Sequence, residues 1–586
     1  MVCEPLRSIE QLLNWDPSQV SESLCSQVSL SDYAIARALE PRQRVLACHD
    51  FKGGYLSYEK QPNGKIGQAA ELLASRREAF IFRHWVRTNC NYFVPICSFV
   101  DIFVYFSHHR VTIPPVCWIE SAHRHGTLVL GTFIFEWEEA GRELVLAVME
   151  ESRRKRVARQ LVHIAKTFGF EGWLFNFEVH LPSRQYVVLI GDLLKQTCDM
   201  MKDEIGQHAM VLWYDSVTVE GRLRWQNRLN EQNYYFFERC DGIFTNYHWH
   251  PNDVGLSQLS SNGRHFDVFT GIDVFGRGTF GGGGYQSYVA AQVAKQMGTS
   301  IALFAFGWTC EAQESGPHVE DNQFRFWEAN TQSIGSVFPS RPLWVDLPLE
   351  TFWETGYGRR SFVEGQQVAS SKPYVNLRQQ QLQPSYTRAH LYASSSHLCL
   401  DFLEISTDYG CGWNSGCSLF FRCKLKGAGW VVHTIAEADI WITKDLLHLR
   451  YWLKVSREQA NVFTIGFVTS PEGNEGEQCT IAVPGNLSYP TLSNTFRMIS
   501  CVGAQKPIAT KESENIWLET NIQFHKEEWD KHLKDHSIRQ VVLMILSSQL
   551  PEEEQQECLL TCHLGGIQMQ QYNNQEIRSI NNLIDS

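Results

Sequence analysis

The sequence predicts an α/β chain: a (β/α)8 TIM barrel followed by a β-sandwich-like accessory region. Three observations carry this reading. Short apolar, β-branched or aromatic runs recur at 44–48, 101–107, 127–133, 173–177, 210–214, 242–246, 267–273 and 301–308, each of strand length. Segments with helical spacing lie between them. Past residue 345 the helical period disappears while strand-like runs continue. Strand and helix alternating over some 300 residues suits a closed eight-stranded barrel. An open doubly wound sheet has the same alternation and is the rival topology.

Taken in order, residues 1–42 read as a partly helical lead-in, with Ile9, Leu12, Leu13 and Trp15 on one side and Pro41 as a stop. The barrel is expected over 43–345. Its clearest helix is 154–168, where Val157, Leu161, Ile164, Ala165 and Phe168 share a face opposite Arg and Lys. Residues 183–205 repeat the pattern, and 292–297 and 322–328 are shorter versions. Residues 346–383, with Gly356, Gly358, Gly365, Pro373 and a Gln run, read as a connector. Strand-like runs at 389–393, 398–403, 419–425, 431–435, 446–455 and 461–468 predict a β-sandwich over 384–508. The β-rich tail 509–586, with an acidic helix-prone patch at 552–557, either completes that sandwich or forms a third unit.

At 586 residues the chain exceeds one ordinary domain, and an apolar share of 43% suffices for large cores. The net charge of -12 without any basic block argues against a nucleic-acid partner. No apolar run is long enough to span a bilayer, since 93–107 is broken by Pro95 and Asp101. Residues 1–17 lack the apolar core of a secretory signal, so a soluble cytosolic protein is expected. Seventeen cysteines without a framework suit a reducing compartment. Cys558 and Cys562 with His563 form only half of a metal motif, and His108, His109, His123 and His125 lack zinc-protease spacing. Gly281 to Gly284 is not followed by the Lys and Ser/Thr of a phosphate loop. No metal, cofactor or obligate protein partner is expected.

In a barrel, active groups sit where strands run out into the following loops. Polar residues collect at those ends: His49 and Asp50, then Ser107 to His109, Glu136, Asn176 and Glu178, Tyr214 and Asp215, Asn246 to Trp249, Asp273 and Arg277, and Trp308. The central stretch is Phe175-Asn176-Phe177-Glu178. Side chains alternate along a strand, so Asn176 and Glu178 share one face and the phenylalanines the other. An ordinary retaining glycosidase uses two carboxylates, but here the neighbour of the glutamate is neutral. That pairing suits an N-acetylhexosamine whose own acetamide oxygen attacks the anomeric carbon. The enzyme then needs an acid for the leaving oxygen and a group that holds the acetamide. An apolar wall of Trp and Phe would help keep Glu178 protonated near neutral pH.

These residues resemble the cytosolic endo-β-N-acetylglucosaminidases of glycoside hydrolase family 85. The likeness rests on Phe175 to Glu178, Leu212 to Ser216, Phe244 to Trp249, Gly271 to Gly278, Cys48-His49-Asp50 with Gly53-Gly54-Tyr55, Asp101 to His109 leading to Thr112 to Pro115, and His123 to Gly126. It covers about 44–330 strongly and the remainder loosely. It implies cleavage between the two core N-acetylglucosamines of N-linked glycans, with retention, substrate assistance through an oxazoline intermediate, and transfer to other acceptors. It further implies Glu178 as acid/base, Asn176 as acetamide-orienting residue and Tyr214 as a hydroxyl near the acetamide. Trp249, Asn246, Asp273, His49 and Trp308 are the expected substrate-binding residues. The partners would be N-glycans, glycopeptides and free oligosaccharides. The chain departs from the family at 64–79 and at 86–100, where extra residues precede the second strand, and at 341–367. Two rivals are a lectin-like protein whose altered 86–100 region spoils turnover and a chitinase-like hydrolase, although the Asp-x-x-Asp-x-Asp-x-Glu pattern of the latter is missing.

Overall fold

The computed structural model describes residues 3–56, 59–60, 99–311, 326, 329–330, 334, 338, 341–384, 391–393, 399–471, 479–484, 496–508, 515–533, 536–550 and 558–577. They fall into two compact units, one made chiefly of the chain up to residue 340 and the other chiefly of the chain from 341 onward. In the first, the strands are β1 (Val45–His49), β2 (Ile102–Tyr105), β3 (Val111–Thr112), β4 (Leu128–Glu136), β5 (Gly172–Glu178), β6 (Met210–Tyr214), β7 (Gly242–Phe244), β8 (Val268–Asp273) and β9 (Ser300–Phe304). Short β3 pairs antiparallel with β4, and every other pairing is parallel. Because β1 pairs with β9 and β2 with β4, the parallel strands close into a ring of eight. The closed barrel is therefore the topology, and the open sheet is excluded.

Among the described residues, helices cross over between the successive parallel strands from β2 onward, as parallel pairing requires. Glu151–Phe168 buries Val157, Leu161, Ile164, Ala165 and Phe168 and stops at Gly169, whose φ of 80° is a left-handed cap conformation that glycine adopts without penalty. The helix read at 292–297 begins earlier, at Ser287–Gln296, and buries small Ala290, Ala291 and Ala294. Helices Val116–Arg124, Glu138–Val148 and Pro251–Ser260 escaped the apolar-period reading. The first is only nine residues long, and its polar Glu120, Ser121 and His123 are buried along with its apolar residues. The stretches 64–79 and 87–97, the acidic patch 552–557 and most of 322–328 lie outside the described residues.

Inside the ring, Leu46, Ile102, Leu130, Leu174, Leu212, Phe269 and Ala302 form the apolar core. With Leu174 inward, the two-residue period carries Asn176 and Glu178 up the same inner wall. Phe175 and Phe177 point outward and pack on Phe133, Phe135 and Trp213, with ring centroids 5.2 Å apart for Phe133–Phe175, 4.9 Å for Phe135–Phe177 and 5.5 Å for Phe177–Trp213. All five are fully buried, and truncating any one to alanine costs roughly 3–5 kcal/mol.

The second unit is built almost wholly of antiparallel strands around a large apolar core, with a smaller aromatic cluster of Phe352, Trp413, Trp452 and Trp517 beside it. Strand Phe496–Ile508 joins its two halves, pairing with Cys479–Pro484 through its first residues and with Asn515–His525 through its last. Cys558–Tyr572 lies between Leu446–Ser456 and Ser418–Lys426, so the tail completes this sheet rather than standing apart. The stretch read as a connector holds strands Leu349–Thr351, Tyr357–Val363 and Gln366–Val375. Its glycines and prolines mask the alternation: Gly365 and Glu364 form the tight turn between the last two, both at positive φ.

At the lower end of the barrel, buried His123 ties the lead-in to β5. Its Nδ1 lies 2.7 Å from the Val28 carbonyl and its Nε2 3.1 Å from the Glu171 carboxylate. Both partners only accept, so both ring nitrogens must donate and the imidazole is cationic. Burial alone would lower its pKa, but the Glu171 charge and these bonds raise it. A raised histidine stabilises the fold fully below its unfolded value of about 6.5, and the contribution fades as pH climbs through the folded value. His123→Gln is therefore expected to destabilise the barrel by roughly 1–3 kcal/mol below pH 6. Chemical denaturation across a pH series should show the gap from wild type narrowing as pH rises; a pH-independent gap contradicts the cationic assignment.

Candidate active site

Strand register sets the rim. Asn176 faces Ile134 and Glu178 faces Glu136 across the β4–β5 pair. Asn176 Nδ2 donates to Glu178 Oε1 at 3.1 Å. The other amide atom, Oδ1, is buried and has no hydrogen-bond partner among the described residues, a costly state for a polar atom unless a ligand satisfies it. Glu178 is largely buried, and its pKa is raised, first by burial and further by the Glu136 charge. Hydrogen bonds from Asn176 and from Trp225, with His108 nearby, pull in the opposite direction. Glu136 is itself held by His108 Nδ1 at 2.9 Å. The neighbouring Asp50 carboxyl is raised mainly by burial and faces His108 and Arg277.

Tyr214, inward on β6, donates from its hydroxyl to Asn246 Oδ1 at 2.9 Å, and Asn246 Nδ2 donates to Asn227 Oδ1 at 2.7 Å. Burial holds the phenol well above its usual range, so it stays protonated. The structure thus brings Asn176, Glu178, Tyr214 and Asn246 onto adjacent inward faces. The other sequence-derived candidates are placed differently. Cys48 is part of the barrel core, so alternation turns His49 outward, where it is 3% exposed and packs on Trp118 at 4.8 Å and Phe103 at 5.8 Å. His49 is therefore a packing residue, and its neighbour Asp50 takes the inward side. Trp249 is also buried, donating from Nε1 to the Gly271 carbonyl at 2.7 Å and stacking on Phe280. A Cβ at Gly271 would lie 2.1 Å from the Thr245 carbonyl, so β7 and β8 approach closely only because that position is glycine. Asp273 uses both oxygens on Arg277, at 2.7 and 3.0 Å, and on the backbone N–H groups of Phe275 and Arg277, closing its own loop instead of facing a ligand. Trp308 is half-buried edge-on against Tyr285 at 5.4 Å.

Sequence reading missed Trp225. It sits in the loop after β6, is 41% exposed, and its indole counters the rise of the Glu178 pKa. A lone tryptophan among Arg, Gln and Asn is the one signal the sequence offers. Trp137, directly after Glu136, is 78% exposed with φ 72° and ψ 156°, a region bulky residues rarely occupy.

A closed ring of eight parallel strands with a carboxyl, an amide and a phenol converging at the strand ends is the arrangement of the (β/α)8 barrel enzymes. Residues 81–361 match the model of glycosyl hydrolase family 85. The chain is 33% identical over 452 residues to a cytosolic endo-beta-N-acetylglucosaminidase 2 of Arabidopsis thaliana, covering 74% of this chain and 60% of that protein. It is 36% identical over 421 residues to the cytosolic endo-beta-N-acetylglucosaminidase of Gallus gallus, with 70% and 51% covered, and 35% identical over 431 residues to that of Homo sapiens, with 71% and 51% covered. The chain therefore spans between half and three-fifths of the length of these curated relatives. In fold it resembles the glycoside hydrolase domain of Endo-D from Streptococcus pneumoniae R6, with a TM-score of 0.68 at 17% identity over 97% of this chain and 83% of that one. The chain belongs to glycosyl hydrolase family 85.

Because the Glu136 charge raises the Glu178 pKa, Glu136→Gln is expected to lower it. Carboxyl 13C titration of Glu178 in the two proteins measures the change; an unmoved or raised midpoint removes Glu136 as an influence.

Proposed function

We propose that this chain is an endo-β-N-acetylglucosaminidase that cleaves the β-1,4 bond between the two core N-acetylglucosamines of N-linked glycans. The observation that carries the reading is the buried Oδ1 of Asn176, unpartnered among the described residues, beside Glu178, whose pKa is raised by burial. Such an oxygen can accept the N–H of a 2-acetamido group, and a neutral amide leaves the acetamide as the nucleophile. The names of the curated relatives support the activity and a cytosolic location, and no described helix is long and apolar enough to cross a membrane.

In the first step the acetamide carbonyl oxygen attacks C1 while Glu178 passes its proton to the departing O4. Asn176 Oδ1 bonds the acetamide N–H, which becomes more acidic as positive charge builds, and so stabilises the oxazoline-like intermediate. The Tyr214 hydroxyl, a neutral phenol whose proton goes to Asn246 Oδ1, stands beside it with its oxygen fixed by that bond. Water then attacks C1 from the face that the leaving group vacated, and Glu178, now a carboxylate, takes its proton. Two inversions retain the configuration. An acceptor hydroxyl in place of water gives glycan transfer. N-glycopeptides and free oligosaccharides with the same chitobiose core are the corresponding substrates.

Release of a labelled high-mannose glycan from a glycopeptide tests both residues. Glu178→Gln should abolish release by at least roughly 10²-fold while glycopeptide binding persists. Wild type and Glu178→Gln equally inert, yet both binding, would replace this reading with a lectin. Asn176→Ala should lose about 10²-fold or more on intact glycan but handle a pre-formed oxazoline much better. Near-wild-type cleavage of intact glycan by Asn176→Ala would remove its role.

A further inference from the structure

Asp215 directly follows Tyr214, is 1% exposed, and spends its carboxylate on the loop after β6. It accepts from the Gln226 backbone N–H at 3.1 Å, from the Asn227 N–H at 2.7 Å and from Asn233 Nδ2 at 2.9 Å. These bonds seat Asn227 at a left-handed φ of 59°, a conformation that asparagine adopts more readily than most residues. From there its side-chain oxygen accepts from Asn246 Nδ2 at 2.7 Å, and Asn246 Oδ1 in turn accepts from the Tyr214 hydroxyl at 2.9 Å. The Asn246 backbone N–H is directed at Asp215 as well, at 3.4 Å. A chain of bonds thus leaves the end of β6 at Asp215, passes through the loop and the residues past β7, and returns at Tyr214, its neighbour in sequence.

The acceptor at Asn227 matters because the two ends of an amide are unlike. Tyr214 and Asn246 are both buried, so the phenol proton needs the Asn246 oxygen, and the Asn246 NH2 then needs an acceptor on its other side. Asn227 Oδ1 supplies it. Take that oxygen away and a buried NH2 loses its partner, leaving little to keep the amide oxygen, rather than the NH2, against the phenol. We propose that Asn227, clamped by Asp215, is a positioning residue for the acetamide step: it fixes which end of the Asn246 amide meets Tyr214, and so how the Tyr214 hydroxyl is held. This rests on the proposed function and adds to the same site a residue that touches no reacting atom.

The test compares the full chain as wild type, Asn227→Gly and Asn227→Asp, each also in a Tyr214→Phe background. Glycine keeps the left-handed backbone and the N–H that Asp215 holds, so the protein is expected to fold with only the side-chain acceptor removed. Aspartate keeps an acceptor at the same reach. Asn227→Gly should lower kcat for release of labelled glycan from a glycopeptide about tenfold, the size of one hydrogen bond, while KM holds. In protein labelled with 13Cζ-tyrosine, the Tyr214 signal, assigned by its loss in Tyr214→Phe, should shift or split in Asn227→Gly. Asn227→Asp should restore most of both readouts. In the Tyr214→Phe background, Asn227→Gly should cost no more than about twofold further, the spread of independent sites. Losses that multiply there, an unmoved Tyr214 signal in Asn227→Gly, or an Asn227→Asp protein as impaired as Asn227→Gly overturn the proposal. The carbon signal needs no turnover, so an inert wild type would refute the activity while the signal still decides whether Asn227 governs Tyr214.

Discussion

The two-residue period of Gly172–Glu178 is the constraint on which the rest of the barrel mouth depends. Phe175 and Phe177 are locked outward by a dry layer of aromatic rings on β4 and β6 and the helix beyond, where Trp213 stacks on Phe236 at 4.1 Å. With those two committed, Asn176 and Glu178 have one direction left. A slip of a single residue would put both phenylalanines into the polar mouth and both polar groups into the aromatic layer. The apolar layer thus holds the amide and carboxyl side by side.

The carboxylates around this strand are sorted by what they accept. Asp215 and Asp273 are as buried as any group in the unit, yet their oxygens are filled by N–H donors from the loops that follow β6 and β8. Their negative charge organises backbone. Glu136 is paired with a histidine. Glu178 receives only an amide and an indole donor, and burial outweighs both. Its charged form lacks the cage of backbone donors that surrounds Asp215 and Asp273, so burial keeps its pKa raised despite His108 nearby.

The eight strands of the ring and several in the second unit between 391 and 471 were legible because each is a short apolar or alternating run between turn residues. In the barrel, the runs at 173–177 and 210–214 lie within the observed strands or match them. Helices with one apolar face were legible too, as Glu151–Phe168 was. Val116–Arg124 was not, since at nine residues it is short for a period to stand out. The strands between 349 and 375 were hidden by turn residues placed where strands cross, not where a chain wanders. His49 and Asp50 illustrate a sharper limit. Both stand at the end of β1, and only the inward setting of Cys48 decides which of the two meets the mouth.

Trp225, Trp249 and Trp308 could not have been sorted by sequence, because loops have no period. Trp249 is consumed by a bond to the Gly271 carbonyl, Trp308 leans on Tyr285, and Trp225 is the one of the three that bears on the Glu178 charge. The amino-acid order by itself determined the barrel's strands, the shared face of Asn176 and Glu178, and the kinship of the chain, since these depend on neighbours within a few residues and on motif order. Tertiary structure decided closure of the ring, which carboxylates are spent on loops, and which tryptophan bears on the acid. Those outcomes rest on contacts between residues far apart in the chain, and no local pattern encodes their distances.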